Sequence, residues 1–94
     1  MLGGLGLSTN GIKDFIEALK NINGENVWVH ITHYLYGNQN LKCAFQLLND
    51  EERLGFSLGT QEIYIEKYRI NNFGVQDNLF YFADDLMCVK IRKM

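Results

Sequence analysis

At Val27 the spacing of apolar residues changes from three-and-four to two, and it stays near two through the rest of the chain. Upstream, Ile12, Phe15, Ile16, Leu19 and Ile22 fall on one helical face, with Lys13, Asp14, Glu17, Lys20 and Asn21 mostly opposite. This predicts one amphipathic helix of about three turns. Thr9 or Asn10 supplies a cap, Asp14 and Glu17 favour the positive end, and Gly24 is a left-handed stop. A helix this short is marginal alone in water, so its stripe must lie on another element. No second helical period of similar strength follows, which argues against a parallel βαβ sheet and for antiparallel strands.

Val27, Val29 and Ile31 alternate with Trp28, His30 and Thr32, the pattern of a strand with one face in a core. A turn is expected at Gly37-Asn38-Gln39-Asn40, followed by a second strand in which Leu41, Cys43, Phe45 and Leu47 point inward. Asn49-Asp50-Glu51-Glu52 reads as a charged hairpin tip. Leu54, Phe56 and Leu58 form the next strand, Gly59-Thr60-Gln61 turns, and a strand from Ile63 is expected to run through Tyr68 to Ile70. Asn71-Asn72-Phe73-Gly74 reads as a turn, and Leu79–Ala83 and Met87–Arg92 as the last strands, with Asp84-Asp85 at a corner between them. The expected fold is mainly β with one N-terminal helix, curled into a small, strongly bent five-stranded antiparallel barrel of SH3-like type. An α+β arrangement, an open antiparallel sheet with one covering helix, is the alternative. Residues 1–8, rich in glycine, are expected to form a flexible arm or a docking strand, and residues 9–94 a single domain.

The helix, the Val27-Trp28-Val29 opening of a strand run and the terminal Asp84-Asp85-Leu86-Met87-Cys88-Val89-Lys90-Ile91 resemble the order of the Sm-like (Hfq-like) family. The resemblance implies a small bent barrel, assembly into rings and RNA binding. It lies in architecture over residues 12–92. Leu41-Lys42-Cys43-Ala44-Phe45 has no family glycine and the second family motif is absent, so no RNA-contact residue is carried over.

Nine Lys+Arg against eleven Asp+Glu give a net charge of −2, so no chain-wide basic field gathers phosphates. A local patch remains open. Lys90, Arg92 and Lys93 form a basic end, and Lys67 and Arg69 bracket Tyr68. Trp28, Tyr34, Tyr36, Tyr64 and Tyr81 offer stacking surfaces. Trp28, His30, Lys67, Tyr68, Arg69, Lys90 and Arg92 are therefore the candidate contacts for RNA or a protein partner. Against them stand Asp50, Glu51, Glu52, Glu62 and Glu66.

His30 and His33, three apart on a strand, face opposite sides and do not chelate one ion. Asp84-Asp85 has no calcium-loop spacing around it. Cys43, among Leu41, Phe45 and Leu47, is expected to be inert, and Cys88, alternating with Lys90 and Arg92, more exposed. No nucleophile elbow, zinc helix or phosphate loop occurs. The expectation is a non-enzymatic binding or assembly module without cofactor that self-associates, with an Sm-like RNA binder as the alternative. A metal-dependent enzyme using Asp84, Asp85 or His30 is a remote third. With no apparent secretory signal or apolar membrane-spanning run, the expected setting is cytoplasmic, with both thiols reduced and no membrane contact.

Overall fold

The computed structural model describes residues 10–94; the expected arm and the capping role of Thr9 lie outside the described residues. Helix α1 (Asn10–Asn21) buries Phe15, Ile16 and Leu19 on the stripe read from the sequence, with Ile22 just beyond its end. Gly24 stops it at φ +89°, a conformation that costs other residues a steric penalty. The strands are β1 (Asn26–His33), β2 (Gly37–Ala44), β3 (Gln46–Asn49), β4 (Arg53–Leu58), β5 (Gln61–Glu66), β6 (Asn72–Gln76), β7 (Leu79–Ala83) and β8 (Met87–Lys93). No helix among the described residues is long and apolar enough to cross a membrane.

All strand pairs are antiparallel, but they form two sheets rather than one closed barrel. One has five strands in the order β2-β1-β8-β7-β6, and the other has three in the order β3-β4-β5. The open-sheet alternative is the one that fits. Two corners divide the strands. At Phe45 the backbone N–H donates to Glu25 O at 2.8 Å and the carbonyl accepts Gly24 N–H at 2.7 Å, so the ladder to β1 ends and the chain passes into the second sheet. At Lys67–Arg69 a 3-10 turn returns it to the first, replacing the strand expected to continue through Ile70.

Two expected turns are strands instead. Gly37–Asn40 belongs to β2, and the reversal lies at Tyr34-Leu35-Tyr36, whose aromatic character hides it in the sequence. There His33 Nδ1 accepts the backbone N–H groups of Leu35 at 3.0 Å and Tyr36 at 3.3 Å, and Gly37 takes φ +82°. Asn72–Gly74 belongs to β6, and the chain reverses at Asp77-Asn78, with Asp77 at φ 55°. The hairpin tip at residues 50–52 and the corner at Asp84-Asp85 fall where expected.

The inner face of the five-stranded sheet carries Val27, Val29, Ile31, Phe80, Phe82, Val89 and Ile91. Leu54, Phe56, Leu58 and Ile65 of the smaller sheet meet it, as does the stripe of α1, in one core. Phe56 touches Phe45 and Phe82 at ring separations of 6.1 and 5.9 Å, and Phe15 of α1 reaches Phe73 and Phe82. Both sheets therefore cover each other's apolar side and turn their second faces outward.

A Phe45→Ala substitution is expected to cost about 3–5 kcal/mol in denaturant unfolding, because it empties a fully buried site, while Lys42→Ala costs under about 0.5 kcal/mol. Gly55→Ala is expected to cost more than Gly74→Ala in the same measurement. A Cβ at Gly55 would lie 2.6 Å from the Ile63 carbonyl, which is backbone, whereas at Gly74 the nearest atoms belong to the movable ring of Tyr81.

Candidate functional site

Strand alternation and register together determine what the outer face of the five-stranded sheet presents. Across the sheet, one row runs Asn40, His30, Lys90, Tyr81 and Gly74, and the next runs Lys42, Trp28, Arg92, Leu79 and Gln76. A third row holds Asn38, Thr32, Cys88, Ala83 and Asn72. The charged groups in these rows are Lys42, Lys90 and Arg92, with no carboxylate among them. Asp77 and Asp84 each directly follow a residue of these rows, and Asp77 shares a depression with Arg92 at the rim. A net-acidic chain thus has a sheet face whose charges are all positive.

The middle of this face is a shallow hollow of about 450 Å³ lined by Trp28, His30, Asn40, Leu79, Lys90 and Arg92. Trp28 is 47% exposed, although it is the largest apolar side chain in the protein, and Lys42 Nζ lies 5.2 Å from its ring centroid. His30 is oriented from both sides: Nδ1 lies 2.6 Å from Asn40 Oδ1, which accepts its N–H, and Nε2 lies 3.2 Å from the Thr32 hydroxyl. Its imidazole is held in a defined plane beside Lys90. Tyr81 lies against its cross-strand partner Gly74, so closely that a Cβ there would fall 2.6 Å from the phenolic oxygen. Glycine at that position lets the ring lie low over the neighbouring strand.

Of the residues singled out in the sequence, Trp28, His30, Lys90 and Arg92 are brought together here. Lys67, Tyr68 and Arg69 are placed elsewhere, in the 3-10 turn between the sheets. Lys67 Nζ donates to the Asp50 carbonyl and its backbone N–H to Glu52 O, so this lysine braces a corner. Arg69 Nε donates to the Tyr68 hydroxyl at 3.2 Å. Asn40 and Leu79, which line the hollow, and Lys42, which flanks it over the Trp28 ring, are residues that the sequence reading did not single out. The signal for Lys42 is the pairing Trp28↔Lys42, visible only once the turn is placed at residues 34–36.

The other ionisable candidates are occupied in turns. Asp84 Oδ1 accepts the N–H groups of Leu86 and Met87, both at 2.8 Å, and Asp85 Oδ1 accepts Asn71 Nδ2–H at 2.8 Å. Asp50 Oδ1 accepts the backbone N–H groups of Arg53 and Glu52 at 2.7 and 2.8 Å, and these bonds hold its carboxyl below the ordinary range. His33 and His30 sit on opposite faces of β1, as their spacing requires.

Cys43 lies on the inner side of β2, where burial raises its thiol pKa, while Cys88 lies on the outer face in line with Lys90 and Arg92. Alkylation at neutral pH is expected to be slower for the Cys88→Ser protein, which keeps Cys43, than for Cys43→Ser, as read by mass spectrometry over time. Equal rates would contradict the placement of the two thiols. Searches against family models, curated proteins and solved structures found no match for this chain.

Proposed function

We propose that this protein is a non-enzymatic, self-associating module that binds single-stranded RNA on the outer face of its five-stranded sheet. The observation that carries the reading is the concentration of Lys42, Lys90 and Arg92, with no carboxylate in the same rows, around the exposed ring of Trp28 and the half-buried ring of Tyr81. Single strands are bound by this combination: cations follow the phosphates while unstacked bases lie on aromatic faces. Spacing supports it as well. Trp28 and Tyr81 lie two strands apart in adjacent rows, so their rings are separated by about 10 Å or somewhat more. One chain crossing the sheet reaches both.

A double helix fits less well, because the face is broad and shallow and offers no projecting helix or ribbon for a groove. The Asn40–His30–Thr32 arrangement adds a fixed polar edge beside the Trp28 ring, suited to hydrogen bonding a base placed there. RNA binding is also what the Sm-like resemblance implies. A cytoplasmic setting agrees with two cysteines on opposite faces of one sheet, which remain free.

Trp28 is the only tryptophan, so its emission reports directly on stacking at the site. Titration with a short oligouridylate is expected to quench it at low salt. The logarithm of affinity should fall with the logarithm of salt at a slope of about −2, as three phosphate contacts on a single strand require. Lys90→Ala or Arg92→Ala should reduce that slope by about 0.7, and Tyr81→Ala should weaken binding by about 1–3 kcal/mol with little change in slope. No quenching and no anisotropy change at low salt would overturn the RNA reading.

A further inference from the structure

Among the described residues four strands lie at sheet edges, and three of them are protected. β6 has five residues and lies beside α1, whose Phe15 ring is 5.5 Å from that of Phe73. β3 has four residues, and the N–H of Leu47 is taken by Asn23 Oδ1 at 2.7 Å. β5 carries Glu62 and Glu66, charges of the kind that deter pairing. Among the described residues, β2 is the longest of these edges and carries one charge where β5 carries two. It spans eight residues and six of them are exposed. The chain contains no proline to interrupt it, and its single charge, on Lys42, lies over the Trp28 ring.

We infer that the free edge of β2 pairs antiparallel with β2 of a second copy of this chain. The inference specifies the self-association in the proposed function and does not depend on RNA. The edge suits itself: a two-fold axis at Asn40 places Lys42 opposite Asn38 of the other copy, so no like charges meet, and the remaining polar side chains there are neutral amides. Leu41 and Cys43, half-buried at the rim of the core, gain cover from the added strand. Antiparallel pairing about a two-fold requires the axis to stand perpendicular to the sheet. Both outer faces then lie on the same side of one continuous sheet, and Lys42 and Trp28 of each copy come near the seam. The dimer offers one uninterrupted cationic and aromatic surface twice the width of the monomer's. A contact made mainly by one strand buries less than the roughly 1,200–2,000 Å² of a standard stable interface, so dimerisation should be concentration-dependent.

Sedimentation velocity of the intact protein from micromolar to millimolar concentration is the test, together with two variants, Gln39→Pro and Asn40→Pro. Neighbouring N–H groups on a strand point to opposite sides, so one proline removes a bond to β1 and the other only an edge donor. The variant that keeps the wild-type melting temperature is the edge variant. The expected result is a monomer-to-dimer shift for the wild type and a monomer throughout for the edge variant. Amide exchange on the wild-type protein provides a second reading: alternate β2 amides should slow as concentration rises. If the edge variant dimerises like the wild type, or if β2 exchange is independent of concentration while the mass doubles, the β2 edge is wrong and self-association stands. If the wild type stays monomeric throughout, self-association falls with it, leaving the RNA titration unaffected.

Discussion

The backbone exchange at Phe45 is the constraint on which the rest depends. Its N–H and C=O are both taken by the segment joining α1 to β1, so residue 45 cannot continue the ladder that β2 makes with β1. Its side chain is simultaneously driven into the core, 1% exposed and against Phe56. A buried backbone group must find a partner, and these two find theirs where the helix ends. The chain therefore bends, leaves the first sheet and begins the second. Gly24 makes the approach workable, because its left-handed conformation turns the N–H toward the Phe45 carbonyl.

From that bend follows the separation of the outer faces. One sheet shows Lys42, Lys90 and Arg92 outward, and the other shows Glu62 and Glu66, with Glu66 beside the 50–52 tip. Arg53 is the exception on the acidic side, its guanidinium 4.5 Å from the Tyr64 ring centroid and bonded to Asp50 at 3.4 Å. Such exposed pairs add little stability, since solvent screens them. Their arrangement matters more for what approaches the molecule: an overall charge of −2 conceals a surface with distinct positive and negative sides.

Much of this was legible in the sequence. The helical stripe, the inward residues of β1 and β4, the shared face of Cys88, Lys90 and Arg92 on β8, and the opposed faces of His30 and His33 all follow from period alone, whereas β7, apolar at every position, shows no such period. The sheet partition was not legible, because Phe45 continues the alternation of Leu41 and Cys43 although the hydrogen bonding changes at that residue. The β1–β2 turn was missed for a chemical reason. Asn38 and Asn40 are common turn residues, yet the loop is closed by a histidine acceptor and a glycine immediately after the aromatic tip. Of the candidate site, the half on β1 and β8 could be read from alternation. Lys42 and the exclusion of Lys67 and Arg69 required knowing which strands are neighbours, information held in long-range pairing rather than in local pattern.

β8 lies between β1 and β7, so the last strand in the chain order fills the centre of the larger sheet. Trp28 has Arg92 as its neighbour only after some sixty intervening residues have been looped out, an entropic toll that grows slowly with length but delays closure. During synthesis, β1 can zip to β2 early and must then wait with its other flank bare. The cationic surface is thus a late product of folding, absent from any intermediate in which the C-terminal hairpin has not docked.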